Sequence, residues 1–308
     1  MIELNITDET SQLKTVILGM PEDFGGTPKI DEAYDPKSKK HILQGSFPAQ
    51  CDIIKEMNEF CSALERHGVE VLRPENIIKL NQVFARDIAF VIDDKLVIPQ
   101  IISDRTDEIK GIKFVIDQVS DKSKLFAPAG VRIEGGDVLP WKGKLFVGYS
   151  KGDDFDQYQV SRTNEAGIEF LHDNFPDWEV IPIELNKSDS DPKKNALHLD
   201  CIFQPVGMNS AILHQDGFKN PQDFEYLLNF FGKESCFMID SQEMYDMNSN
   251  VFSISPQIVV SDKSFTRLNN WLKNQGLQVE EINYREIAKM EGLLRCSTLP
   301  LLRDKKVI

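Results

Sequence analysis

Four short segments carry side chains that could do chemistry together: Phe84-Ala-Arg-Asp87, Glu134-Gly-Gly-Asp137, His198-Leu-Asp200 and Arg295-Cys296-Ser-Thr-Leu-Pro300. They supply a thiol, an imidazole and several carboxylates. A reactive thiol needs its thiolate stabilised by a nearby cation or histidine. His198 is the natural partner of Cys296, and Arg295 adds positive potential. Alternate residues of a strand share a face, so His198 and Asp200 are expected to project together from a strand start. The diglycine of Glu134-Gly-Gly-Asp137 permits positive φ and close backbone approach. Plainer readings stand beside these: a lone buried cysteine as a small hydrophobe, an acidic tight turn, a local Arg86-Asp87 ion pair. An acyl-transferring cysteine hydrolase needs a thiol, a histidine and one orienting group. Acids beyond that imply a bound cation, either a metal or an organic one. A hard metal ion would select carboxylates and water over a thiol. A guanidinium is planar, pairs bidentately with carboxylates and offers an electrophilic carbon.

These segments must be positioned by regular elements. Residues 51–67 place Ile53, Ile54, Met57, Phe60, Cys61 and Leu64 on one helical stripe, with Gly68 as the stop and Val69–Leu72 as a strand. The same order recurs in 221–239 and 263–282, and more faintly near 104–118 and 160–174. Four hairpins fall between, led by Asp87, Asp137, Asp200 and Asn250, with turns at Asp93-Asp94, Lys142-Gly143, Gly207-Met208 and Pro256-Gln257. A fifth hairpin pairs Thr15–Leu18 with Cys296–Leu302 and joins the chain ends. A period near 50 residues marks a repeat or radially arranged fold, in which the hairpin leaders would converge on one axis; the plainer reading is an ordinary α/β sheet whose buried strands look alike.

The 308 residues carry 35 Lys+Arg against 49 Asp+Glu, a formal net charge of −14. This acidity argues against a nucleic-acid partner, which needs clustered Lys and Arg. No run approaches the length of a membrane span, and no signal peptide is visible. The five cysteines are Cys51, Cys61, Cys201, Cys236 and Cys296; their number is odd and they include no Cys-x-x-Cys. That fits a reducing cytosol, so a cytoplasmic protein is expected, with Cys296 reactive and the other four packing. His41, His67, His172 and His214 read as structural or surface residues. No metal or other cofactor is expected. The oligomeric state stays open, a homodimer among the options.

In this order the four segments resemble the guanidino-group-modifying enzymes: arginine deiminases, dimethylarginine dimethylaminohydrolases and amidinotransferases. The resemblance spans nearly the whole chain. It implies an α/β fold, the five-bladed α/β propeller or pentein, with five pseudo-symmetric ββαβ units around a central active site. Residues 1–308 would form a single catalytic domain. Cys296 would attack the guanidinium carbon, and His198 would protonate the departing amine and then activate water or an acceptor amine. Glu134 would orient His198 or the substrate, and Asp87 and Asp200 would clamp the guanidinium nitrogens. Asp137 and Phe84 belong to the same motifs on the substrate side, Asp137 as a contact or as structure. Arg162, in Ser161-Arg-Thr163, resembles the arginine that holds the substrate carboxylate in the hydrolases. The family often has a glycine-rich loop before the cysteine; here Met290-Glu-Gly-Leu-Leu-Arg-Cys296 has Gly292 alone.

A hydrolase is the expected branch, from Glu134-Gly-Gly-Asp-Val, Leu145-Phe-Val-Gly148 and Ser161-Arg-Thr. The amidinotransferase alternative rests on Cys61–Pro74 and on the early insertion 22–50, which could cover the pocket. Two other readings are a non-catalytic pentein binding protein, disfavoured by the retained Cys296, His198, Glu134 and Asp87, and a cysteine amidase of another type.

Overall fold

The computed structural model describes residues 1–304. It contains five three-stranded sheets of one topology, in which a central strand pairs antiparallel with one neighbour and parallel with the other. In chain order the antiparallel hairpins are Phe90–Ile92 with Lys95–Ile98, Val138–Trp141 with Lys144–Tyr149, Phe203–Val206 with Ser210–Leu213, and Phe252–Ser255 with Ile258–Asp262. The fifth pairs Leu13–Leu18 with Thr298–Arg303 in the register Val16↔Pro300, Leu18↔Thr298, so the two ends of the chain share a sheet as expected. The parallel third strands are Glu70–Leu72, Lys124–Phe126, Glu179–Glu184, Cys236–Met238 and Gln278–Ile282.

A helical segment precedes each third strand, because a parallel connection needs a crossover. Gln50–Arg66 buries Ile53, Met57, Phe60 and Leu64; Pro221–Phe231 buries Phe224, Leu227 and Phe231; Thr266–Asn274 buries Leu268 and Leu272. Gly68, Gly232 and Gly276 follow these helices with φ of 74°, 84° and 81°, left-handed values that a side chain would strain. The fainter repeats are weaker helices. Residues 103–112 form a 3-10 segment before the short helix Lys113–Gln118, and 160–164 are irregular before Glu165–Asn174.

Burial falls across every sheet. The first strands are buried almost throughout, and the third strands are largely half-exposed. A tight turn or single 3-10 turn feeds each first strand, and those turns carry the chemistry: Asp87, Glu134 to Asp137, His198 to Asp200, Asn250 and Cys296. The hairpin leaders therefore lie just before the strands. His198 and Asp200 are not alternate strand residues: Leu199–Cys201 is a 3-10 turn, and the strand begins at Phe203. Of the cysteines read as packing, Cys201 is buried, Cys61 and Cys236 are half-buried, and Cys51 is exposed. Among the described residues, no helix is long and apolar enough to cross a membrane.

Candidate active site

Cys296, His198, Asp87, Arg162 and Phe84 line one cavity of about 770 Å³. Glu134, Asp200 and Asp137 stand behind that wall with no exposed surface.

His198 Nε2 lies 2.8 Å from Glu134 Oε2 and 3.8 Å from Asp87 Oδ1. Burial alone would push the imidazole down. The carboxylates of Asp87, Asp137 and Glu134 outweigh it and raise His198 to about 9, so it rests as imidazolium at neutral pH. Close approach makes this packing feasible. A Cβ on Gly136 would sit 2.7 Å from the His198 ring, and one on Gly135 would sit 2.1 Å from the Arg86 carbonyl. Neither glycine has positive φ; of the two uses expected of the diglycine, only the close approach occurs.

Cys296 is 3 % exposed, with Asp200 Oδ2 3.6 Å from its sulfur. Burial and the Asp200 and Asp87 carboxylates push the thiol well above its ordinary value. Arg295 does not relieve this. Its guanidinium is fully buried and bound to Glu9 at 2.9 and 3.0 Å and to Asp200 Oδ2 at 2.9 Å, so those acids neutralise its charge. Glu9 in turn is held down at about 2: burial would raise it, and Arg295 overcomes that.

Asp87 carries a resident partner. Arg105 Nη1 donates to Asp87 Oδ2 at 2.7 Å, while its other nitrogens donate to both Glu108 oxygens and to the Phe84 carbonyl. Asp87 Oδ1 accepts from the Gly136 amide at 3.2 Å. Burial would raise Asp87; His198 and Arg105 hold it below the usual carboxylate range. Glu108 is pushed up to about 7, chiefly by burial.

Asp137 does not touch the cavity. Its oxygens accept from Thr163 Oγ1 at 2.6 Å and from the Leu199 amide at 2.9 Å, so it braces the His198 turn from behind, the structural one of its two expected uses. Arg162 is buried, with Nε 3.6 Å from Glu134 Oε2 and Nη1 on the Gln159 carbonyl at 2.6 Å. Its Nη2 has no hydrogen-bond partner. The Tyr34 ring lies 5.6 Å away. Tyr34 belongs to the early insertion, which forms a second wall of the cavity through Phe24 to Asp35, Ser38 and Phe47. Asp35 caps the helix Pro36–Leu43 by accepting from the Ser38 amide at 2.6 Å. The Lys37 amide donates to Glu291 in the loop before Cys296, at 3.3 Å.

Three features lay outside the sequence-based candidates. Glu9 comes from an unpatterned N-terminal segment, and Arg105 and Glu108 from the faint repeat near 104–118, so no motif marked them. Asn250, whose side-chain amide contacts Cys296, is a hairpin leader, but an amide at that position signals no chemistry by itself. The Asp87, Glu134 and His198 ligand atoms lie within 4.8 Å of one another and could hold a metal ion.

The family model described as N,N dimethylarginine dimethylhydrolase, eukaryotic, matches residues 29–303. YkgA, an uncharacterised protein of Bacillus subtilis strain 168, is 27% identical over 301 residues, covering 96% of this chain and 94% of its own. The N-terminal domain of ArgZ, a cyanobacterial arginine dihydrolase solved with bound product, superposes with a TM-score of 0.77 at 15% identity, over 95% of this chain and 98% of that one. SxtG, an amidinotransferase of saxitoxin biosynthesis from Microseira wollei, gives 0.73 at 17% identity, over 99% and 98%. At such identities the structural likeness establishes the fold alone. The family match runs through all the turns that carry Asp87, Glu134, His198 and Cys296, and the chain belongs to the N,N dimethylarginine dimethylhydrolase family, within the pentein superfamily of guanidino-group-modifying enzymes.

Proposed function

We propose that this protein hydrolyses the guanidino group of arginine or an arginine derivative through a covalent amidino-thiol intermediate. The observation that carries this reading is one cavity wall holding Cys296, His198 and Asp87, with Asp200 3.6 Å behind the sulfur. We further propose that the five sheets ring a central axis as a five-bladed propeller. Residues 1–308 then act as one catalytic domain, and the free cysteines support a cytoplasmic setting.

In this mechanism the guanidinium enters beside Asp87 and Cys296, with Asp200 behind the sulfur. Its charge offsets the field that keeps Cys296 protonated, and the thiol proton leaves to solvent. The sulfur attacks the guanidinium carbon. His198 gives its proton to the departing nitrogen as the C–N bond breaks, which leaves an amidino-thiol. Neutral His198 then takes one proton from water, whose oxygen attacks the same carbon; the C–S bond breaks to restore the thiolate, and the remaining hydroxyl proton leaves to solvent as the ureido C=O forms. Glu134 holds His198 in place throughout. Arg162 holds the substrate carboxylate, a role supported by its buried, unpartnered Nη2.

An amidinotransferase is the second reading, favoured by the wall formed by residues 24–47. The added wall deepens the cavity and leaves room for an acceptor amine. Both readings share every step up to the amidino-thiol. The test is incubation with arginine, methylated arginines, agmatine and guanidinoacetate, with and without glycine, read by mass spectrometry. Hydrolysis gives a ureido product plus ammonia or a methylamine without any acceptor. An amidino group moved to glycine would establish the transferase. No turnover of any of these would overturn both readings.

A further inference from the structure

Four hairpin leaders stand just before the first strands of successive sheets: Asp87, Asp137, Asp200 and Asn250. Three are acids. The fourth, an amide, touches the nucleophile. The Cys296 backbone N–H donates to Asn250 Oδ1 at 3.1 Å, and Asn250 Nδ2 lies 3.1 Å from Cys296 Sγ. The backbone N–H can only donate, so the oxygen must face it, and this fixes the amide orientation with the NH2 toward sulfur. Asn250 is fully buried. Its own N–H donates to the Met247 carbonyl at 3.0 Å, and its carbonyl accepts from the Arg295 N–H at 3.3 Å. Neighbouring Ser249 donates to the Asp200 carbonyl at 2.9 Å. The amide is thus built into the same backbone frame as the nucleophile and the acid behind it.

We propose that Asn250 is a catalytic residue that stabilises the Cys296 thiolate by N–H donation, and that an amide is required at this one leader position because an acid there would suppress the nucleophile. This rests on the reading of Cys296 as the attacking group. A carboxylate at position 250 could only accept. It would add a negative charge at about 3 Å from a sulfur that already faces Asp200 and Asp87. An amide N–H favours the charged sulfur over the neutral one, as a hydrogen bond to any ionised form does. Its effect is largest once substrate has offset the two acids and the thiolate forms.

The test reads the thiolate directly, without turnover. Iodoacetamide alkylates Cys296 as the thiolate displaces iodide: the C–S bond forms, the C–I bond breaks and iodide leaves. The rate at Cys296, followed by peptide mapping from pH 6 to 10, reports the ionised fraction. In Asn250→Asp the profile is expected to move to higher pH. The rate at pH 8 should fall about tenfold or more, because raising the thiol by one pH unit cuts its ionised fraction tenfold. Asn250→Ala falls between wild type and Asn250→Asp, and Asn250→Ser, which restores a donor, is partly rescued. Thermal unfolding at pH 7 identifies the variants that fold, and Ala and Ser alone still discriminate if the Asp variant does not. Superimposed profiles in the folded variants would overturn the role of Asn250. Turnover that persists after Cys296 is fully alkylated would overturn the nucleophile assignment beneath it.

Discussion

The cavity wall has two halves that share one electrostatic field and respond to it differently. On one side His198 sits among Glu134, Asp87 and Asp137 and is raised to about 9. On the other Cys296 sits against Asp200 and Asp87 and is raised as well. The same negative potential leaves the first group charged and the second neutral. Neither half alone makes the usual thiolate–imidazolium pair of a cysteine protease. Such a field suits a cation: its arrival releases the thiol proton while the imidazolium keeps the proton needed for the leaving amine. In the proposed mechanism the acid half is ready before substrate binds, and the nucleophile half becomes ready because substrate binds.

The largest expected effect removes the nucleophile half outright. Cys296→Ala should lower kcat by about ten-thousand-fold or more, since residues acting as a unit lose nearly everything when one goes. The fold should persist, because a buried Cys→Ala change removes only one sulfur atom. Steady-state kinetics and thermal unfolding together check this. Activity close to wild type would break the contrast between the halves.

A smaller effect should follow from changing the acid shared by both. Asp87→Asn removes the charge that contributes most to the rise of His198 and part of the charge that suppresses Cys296. A drop of about 100-fold in kcat/KM is expected, the scale for one preorganised charged contact in a closed site. A high-pH limb of activity is expected in wild type where His198 loses its proton near 9, and in Asp87→Asn it should move down toward the ordinary value of 6.5. Stability has the matching sign. The folded value lies above the unfolded one, so protonation of His198 stabilises the fold fully below pH 6.5, and this contribution is lost as pH rises through about 9. Asp87→Asn should flatten that slope in pH-dependent unfolding. An unmoved activity limb would mean that Asp87 does not set the His198 charge.

The two halves were unequally legible in the sequence. The chemistry-bearing turns were readable because each precedes an apolar strand and recurs at a period near 50 residues. The strong helices Gln50–Arg66, Pro221–Phe231 and Thr266–Asn274 were readable from their stripes and terminal glycines. What stayed hidden lies between segments distant in the chain. Glu9 reaches Arg295 across 286 residues, and no local pattern marks such a pair. Arg295 taken alone implies free positive potential, because its partners cannot be seen from position 295. Arg105 lies in a 3-10 stretch with no clear apolar period. The strand alternation expected for His198 and Asp200 fails because Leu199–Cys201 turns tightly before its strand, and yet His198 still reaches the wall and Asp200 the sulfur from behind it.

The smallest expected effect concerns the place where the two halves touch. Gly292, in the loop that leads to Cys296, faces Phe84, in the turn that carries Asp87. A Cβ at 292 would lie 2.4 to 2.8 Å from the Phe84 ring. Its φ is not positive, so backbone strain is not the issue. Space is. The one glycine kept in this loop therefore sits where an aromatic ring from the opposite half fills the site of a side chain. In Gly292→Ala the ring must turn or the loop must retreat, at a cost of about 1–3 kcal/mol of overpacking. Phe84 lines the cavity, so its displacement should raise KM by about tenfold, the fold-change equivalent of about 1.4 kcal/mol. The kcat should stay close to wild type, because neither His198 nor Cys296 is touched. A second variant, Phe84→Leu with Gly292→Ala, should recover KM relative to Gly292→Ala alone if the contact is steric. If kcat falls instead while KM holds, the loop sets the position of the sulfur, and the two halves are coupled more tightly than their separate turns imply.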